Sequence, residues 1–506
     1  MANEILSPDG RPLPLEELGF VLVSTNLAAQ VETLPGSAPG TRSGGPGLTR
    51  PVLESAEVRE LGTVLLQDQH PEREQAKTVS LYAPAGGRED GRLLLYFDEN
   101  GGVTFHVPQA EAQPPAGVRA GREKLVRFDI PIRPPVKGTG ETRPVRGVGG
   151  MIAKKVLKVI GWKVAGLVAR QVGPPLVRQW EAKYRPMRLL DRASLFDPAA
   201  AAIESVMPAG PRVLLFIHGT FSRVASGFKG LDVDHDFLGR IGDFYGDQIY
   251  GYDHPTVATG VATNVMQLYE KLAPGVHNVD IICHSRGGLV ARALRDLNEN
   301  DLKTRFMIDA QRGQYGPELI AWGEQWRIPA GVEVRVNRIF FAATPNNGTV
   351  LAQPLHLKKY LDLLMTATNL LPDFVDVTVD AILVVAKLLL SEVMPVLPGL
   401  DDQRPGSELF KQLSNRPGDK DVAIAANYEP PPGLQAIMRT ADVAADFIFG
   451  QQQNDLVVPT EGVSHWPGGN FGDDYLLPFS SGEGVHHCNL FSQARTCRRL
   501  EAWLTI

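Results

Sequence analysis

From Arg212 onward, continuous apolar runs alternate with stretches whose apolar residues recur at helical spacing. Val213–Ile217, Gln248–Tyr252, Val279–Ile282, Val334–Ala342 and Val422–Ala426 read as strands buried on both faces, and Val261–Leu272 and Gly288–Leu297 read as helices among them. Strands that alternate with helices in this way predict right-handed crossovers onto a mostly parallel sheet. In such a sheet the site lies at the carboxyl ends of the strands.

Before residue 131 the pattern differs. Short segments at Gly19–Val23, Thr63–Leu66, Thr78–Tyr82, Arg92–Phe97, Val103–Val107 and Leu125–Ile130 are separated by Gly, Pro and charged turns, which predicts a smaller β-rich domain over residues 1–130. Residues 131–150 read as a Pro/Gly linker, and residues 206–506 as the α/β domain. Between them, 151–205 is expected to be a basic, apolar helical connection. Within it, Lys154, Lys155 and Lys158 share one face at helical spacing, with Lys163 and Arg170 further round. A helix of that kind packs on a domain or a second copy, or lies on an anionic membrane surface with its lysine stems extended.

One more stretch stands out by its hydropathy. From Leu355 to Leu397 the chain is helical in pattern and heavily apolar, and in DAILVVAKLLLSEVMPVLPGL, starting at Asp380, Lys387 and Glu392 interrupt the run. It is too short and too interrupted to read as a membrane span. A helical lid over about 355–400 that lines a substrate site, with Leu361 and Leu364 facing the pocket, is the expectation; plain helical packing is the alternative.

Candidate chemistry gathers at the ends of the apolar runs. In VDIICHSRGGLVARAL a strand pattern ends at Cys283-His284-Ser285-Arg286-Gly287 and a helical pattern starts at once, with Ser285 at the apex. A serine hydroxyl is a poor nucleophile unless it is held out of the sheet beside a base and above backbone N–H donors, and this turn supplies such a position. The motif usually reads GxSxG, and Cys283 stands at its first glycine. An ordinary strand-to-helix turn with a capping serine is the alternative.

A second glycine turn, His218-Gly219-Thr220, ends RVLLFIHGTF and offers, with Arg286, two backbone N–H groups for an oxyanion. His218 is either a core histidine or, with Phe221 and His284, part of a pocket wall. Near the C-terminus, Asp455 in NDLVVP and the adjacent pair His486 and His487 follow in the order Ser, Asp, His. Adjacent loop residues face apart, so one histidine serves as base: His487, with His486 the alternate. Asp253, Glu461, Asp473 and Asp474 are other acids within the region.

With FIHGT, CHSRGG, AATPNNGT (Ala342–Thr349), NDLVVP and the histidine before Asn489 in this order, the chain from about Arg212 to its C-terminus resembles an α/β-hydrolase of the bacterial lipase type. The resemblance implies a mostly parallel sheet flanked by helices and a Ser285, Asp455, His487 triad. It also implies carboxylic ester hydrolysis through an acyl-enzyme, without metal or organic cofactor. Two other functions fit the same residues: a phospholipase-like effector that works on a bilayer, and an interaction scaffold on an idle hydrolase fold.

Composition narrows partners and compartment. With a net charge of -6 the chain has no overall basic footprint for nucleic acid, the segment around Lys154 being a local exception. Its expected partner is an ester or lipid substrate; membrane-surface contact through 151–172 or the lid, and a homo-oligomer, remain open. The three cysteines cannot all pair, and two flank proposed site residues, which favours a reducing cytoplasm. The start, MANEILSPDGRPL, lacks the basic and apolar segments of a Sec signal, and export without one stays open. His70 and His106 are isolated, and no metal cluster or phosphate loop is read in the N-terminal domain.

Overall fold

A computed structural model describes residues 4–36, 58–69, 77–87, 90–98, 103–106, 108–112, 115, 124–132, 155–163, 181, 188–197, 206–233, 236–311, 317–353, 356, 361–362, 397–430, 449 and 452–505. Contacts divide the chain into two compact units, Met1–Val168 with Lys358–Glu392 and Pro430–Ala444, and Ala169–Leu357 with Val393–Glu429 and Ala445–Ile506.

The first unit is built from strands β1 (Glu4–Leu6), β2 (Leu13–Leu15), β3 (Phe20–Val23), β4 (Ala29–Pro35), β5 (Val58–Asp68), β6 (Lys77–Pro84), β7 (Asp90–Phe97), β8 (Val103–His106), β9 (Gln109–Ala112), β10 (Leu125–Ile132) and β11 (Lys155–Lys163). They form two antiparallel sheets, in the orders β1-β4-β5-β11-β7-β8 and β2-β3-β6-β10-β9. The sheets share one core, in which Val31, Val64, Leu94 and Leu157 of the first meet Leu22, Leu81, Phe128 and Ile130 of the second.

Strand β11 corrects the sequence reading. Residues 155–163, expected within a basic helix, are a central strand paired along its length with β5 and β7. Val156, Val159 and Ile160 are β-branched and fit a strand buried on both faces. The lysine spacing that suggested a helical face instead puts Lys155 and Lys158 on opposite sides of the sheet, and both are buried. The Lys158 ammonium lies 3.1 Å from Glu60, whose other oxygen accepts from the Thr63 hydroxyl. Burial pushes that ammonium below the ordinary lysine value against the opposing pull of Glu60. Lys155 and Lys158 therefore serve the interior of a sheet and are not part of a membrane-facing stripe; 151–154 and 164–172 lie outside the described residues.

The second unit carries a seven-stranded mixed sheet, β12 (Arg188–Asp191), β13 (Gly210–Ile217), β14 (Ile249–Asp253), β15 (Gly275–His284), β16 (Val332–Ala342), β17 (Val422–Ala426) and, beyond the small ribbon β18 (His465–Trp466) and β19 (Gly469–Asn470), β20 (Leu476–Phe479). Its order is β12-β14-β13-β15-β16-β17-β20, with every pair parallel except β12 with β14. Strand β12 lies in the segment expected to be a helical connection, a second correction there. Helices α1 (Phe237–Tyr245), α2 (Val261–Tyr269), α3 (Gly287–Asp296), α4 (Glu299–Gln311), α5 (Pro317–Gln325) and α6 (Ala494–Thr505) are the longer helices described in the unit. Phe237 and Ile241 of α1 and Leu500 and Trp503 of α6 bury one face against Phe216, Ile282, Phe340 and Ile424. Ile281 and Cys283, which alternate to the other face, are equally buried, so both faces are covered.

Register lines up the carboxyl ends. Ile217 pairs with Cys283, His284 with Ala342, Ala342 with Ile424, and Ala426 with Phe479. After β13 the chain adds β14 on one side and β15 on the other, so the order reverses between β13 and β15, the kind of switch point at which open α/β sheets bind ligands. Of the segment expected as a lid, 354–355, 357–360 and 363–396 lie outside the described residues, Leu364 among them; Leu361 is buried and is grouped by its contacts with the first unit.

Candidate active site

Ser285 sits between β15 and α3 with φ 53°, a left-handed conformation that a non-glycine residue adopts at a cost of about 1–3 kcal/mol. Two glycines make that turn fit. A Cβ on Gly219 would lie 2.6 Å from the Ser285 Cβ, and one on Gly287 would lie 2.2 Å from the Ile217 carbonyl oxygen. The Ser285 N–H donates to the Ala342 carbonyl at 2.8 Å, which ties the turn to β16. Cys283, at the usual first glycine of the motif, is wholly buried with its Sγ 3.3 Å from the Phe340 carbonyl, and burial pushes its thiol up, so it packs and stays protonated.

Asp455 and His487 meet. The His487 Nδ1 lies 2.8 Å from Asp455 Oδ2, and the His487 N–H donates to the Asp455 carbonyl at 3.0 Å. The other carboxylate oxygen accepts the N–H groups of Val457 and Val458 at 2.9 and 2.7 Å. An ionised carboxylate is an acceptor only. That fixes the proton of the imidazole on Nδ1 and leaves its Nε2 lone pair for another group. His486 faces away: its Nδ1 accepts the Cys488 N–H and its ring packs edge-on against Tyr428. Asp253 is engaged elsewhere, by the Val224 N–H and Arg188, and Asp473 and Asp474 are exposed.

The loop that carries Asp455 is fastened from AATPNNGT. Asn346 Nδ2 donates to the Val463 carbonyl, Asn347 N–H to that of Gly462 and the Thr349 hydroxyl to that of Val457. Arg292 of α3 in turn holds the Asn346 carbonyl while its guanidinium lies 4.0 Å over the Trp466 ring. The serine helix and the acid loop thus share supports.

His284 bridges the serine turn to the histidine loop. Its Nε2 lies 2.9 Å from the His487 carbonyl and its ring packs on that of His487 at 4.7 Å. Because Nε2 must donate, the ring is the Nε2–H tautomer; burial and then the charge of His487 push its pKa down to about 3, so it stays neutral. His218 is also committed: its Nε2 accepts the His254 N–H at 3.0 Å, and its Nδ1 lies 2.9 Å from the Gly219 carbonyl. Both fit support beneath the turn. Phe221, likewise buried, has φ 60° and gives its N–H to the Thr256 hydroxyl.

Two residues passed unnoticed in the sequence. Glu181, buried, takes the N–H groups of Thr256, Val257 and Ala258 on its carboxylate and fixes the loop after β14. Gln403 reaches the Thr220 hydroxyl across 183 positions of chain. Neither belongs to a local pattern, and no spacing rule points to them. Among the described residues no His, Cys, Asp and Glu side chains gather as a metal site, and no helix is long and apolar enough to cross a membrane.

The profile of a family described as "Domain of unknown function (DUF7379)" matches residues 184–311 and 322–505. No curated protein matches the chain. Among solved structures it is similar to lipase 1 from Pelosinus fermentans, at 13% identity and a TM-score of 0.36 over 58% of this chain and 97% of that one. It is similar to phospholipase PlaB from Legionella pneumophila at 12% identity and a TM-score of 0.33, over 58% of this chain and 60% of that one. Naproxen esterase from Bacillus subtilis shares 12% identity, with a TM-score of 0.26, over 67% of this chain and 99% of that one.

Proposed function

Taking as premise that this chain belongs to the DUF7379 family, we propose that its second unit is an α/β-hydrolase-type serine hydrolase that cleaves carboxylic esters through an acyl-enzyme. One observation carries this reading: a serine in a left-handed turn after a central parallel strand, at the same sheet edge as a histidine held on Nδ1 by a saturated carboxylate.

In this mechanism His487 Nε2 takes the Ser285 proton as the hydroxyl oxygen attacks the ester carbonyl, and Asp455 keeps the imidazole in the required tautomer. The N–H groups of Thr220 and Arg286 receive the oxyanion. His487 then returns the proton to the departing alcohol, and a water that it deprotonates releases the acid from Ser285. The phospholipase-like reading drew on a basic helix and an apolar lid working together on a bilayer; residues 155–163 form a strand in which Lys155 and Lys158 are buried, so the first of these two supports falls away.

The test is labelling of the full chain with a fluorophosphonate probe, beside Ser285→Ala, followed by turnover of p-nitrophenyl esters of rising acyl length. Labelling that needs Ser285, and a loss of turnover of about a millionfold in Ser285→Ala with an unchanged melting temperature, are expected. A folded parent that takes no label, with or without detergent, is an idle scaffold.

A further inference from the structure

Behind the two proposed oxyanion donors runs a polar link that nothing in the triad accounts for. The Thr220 hydroxyl donates to Gln403 Oε1 at 3.2 Å, and Gln403 Nε2 donates to the Gly399 carbonyl at 2.9 Å. The same carbonyl accepts from Arg286 Nε at 3.1 Å. The orientation of the Gln403 amide follows from chemistry, since the opposite flip would set its oxygen against the Gly399 carbonyl. The side chains of Thr220 and Arg286 thus meet on one bridge, and the mechanism above uses the backbone N–H of each.

The bridge rests on a fixed base. Gln403 is buried, and its carbonyl accepts the Thr349 N–H at 2.8 Å. Next to it Asp402, fully buried, receives the first N–H of α2 from Val261 at 2.7 Å and bonds Arg305 of α4. At the far end the Arg286 side chain, 0% exposed, also donates from Nη2 to the Thr259 carbonyl at 2.7 Å and to Asn264 Oδ1 at 2.9 Å. A guanidinium held on three elements cannot rotate without moving its own backbone. The bond from its hydroxyl to Gln403 holds the Thr220 side chain, and in the mechanism above it is the backbone N–H of this residue that serves the oxyanion. An oxyanion hole is effective when its donors are already in place before charge develops, and small misplacements are costly.

We infer that Gln403 is a positioning residue that sets the spacing of the two oxyanion donors by joining Thr220 to Arg286 through the Gly399 carbonyl. The inference rests on the serine-hydrolase reading. It predicts an effect on the transition state with little on ground-state binding.

The experiment uses the full chain and p-nitrophenyl butyrate. Thr220→Val and Gln403→Met, each close in shape to the parent, should lower kcat about tenfold with KM within about twofold. Phenylboronic acid, which takes a tetrahedral form on the serine, should bind more weakly by the same factor as kcat falls. The double variant should be no slower than the slower single one, because either change breaks the same link. Thr220→Ser should regain most of what Thr220→Val loses. Variants that melt with the parent and keep kcat within twofold, or a double variant whose loss is the product of the two, overturn the inference. Should Gln403→Met fail to fold, Thr220→Val reads the same link. Fluorophosphonate labelling of the parent separates the two levels: a labelled parent with unaffected variants removes only the positioning role, and an unlabelled parent removes the hydrolase reading and this inference with it.

Discussion

Strands β11 and β15 are each central in a sheet and each buried along most of their length, but they put their polar residues to different use. β11 runs antiparallel to both neighbours and holds Lys158 in mid-strand against Glu60. β15 runs parallel to both neighbours and places His284, followed by Ser285, at its carboxyl end, beside the ends of β13 and β16. In an antiparallel sheet neighbouring strand ends point in opposite directions, and polar groups within the strand can only be neutralised in place. A parallel sheet gathers its carboxyl ends at one edge, so residues distant in sequence converge there.

The sharpest way to break this contrast is at the convergent edge. Asp455→Asn keeps the shape of the loop but cannot hold the His487 proton on Nδ1 in the same way; kcat for p-nitrophenyl esters should fall by about three orders of magnitude or more, with secondary structure unchanged by circular dichroism. A loss under tenfold would mean that the pairing of Asp455 with His487 is structural.

Next in size is the neutralised pair. Lys158→Met leaves Glu60 buried without its cation, and the first unit should lose about 3–5 kcal/mol, read as faster amide exchange along β5, β7 and β11. Adding Glu60→Leu should recover most of it, since a well-packed apolar pair replaces the ionic one. If the single change costs under about 1 kcal/mol, the pair is as weakly coupled as a surface ion pair.

The smallest expected effect concerns pH. His284 is held at about 3 in the folded chain against an ordinary 6.5, so between those values the unfolded chain binds a proton that the folded chain does not. Stability from this group is therefore complete above about 6.5 and falls as pH drops towards 3. In His284→Phe the melting temperature at pH 8 should drop modestly, because the His487 carbonyl loses its donor, but the further fall on going to pH 5 should be shallower than in the parent. Equal slopes would assign the acid sensitivity to other groups.

How far these features were legible depends on how local their causes are. The strands β13, β15, β16 and β17 and the turn at Ser285 announce themselves because buried parallel strands are unbroken aliphatic runs and the elbow needs its glycines within a few residues. Adjacent residues facing apart left one of the two histidines for the site, and the preference for His487 rested on its place nearer the terminal helix; in the structure the His487 Nδ1 lies 2.8 Å from Asp455 Oδ2. β11 was misread because Lys155 and Lys158 satisfy a helical spacing, and the partner that makes Lys158 acceptable inside a sheet, Glu60, lies 98 positions away. β20 hid behind Pro478, which suits an edge strand, and Gln403 behind the absence of any local motif.

The separation of the site residues along the chain also sets an order in time. His284 and His487 lie 203 positions apart, so at a synthesis rate of about 5–20 residues per second Ser285 leaves the ribosome roughly 10–40 seconds before the histidine proposed as its base. During that interval the hydroxyl has neither an imidazole to accept its proton nor a carboxylate to orient one. Under the mechanism proposed above, the nascent chain gains its reactivity only when its acid loop and histidine arrive, which would write the timing of reactivity into the linear order of the polymer.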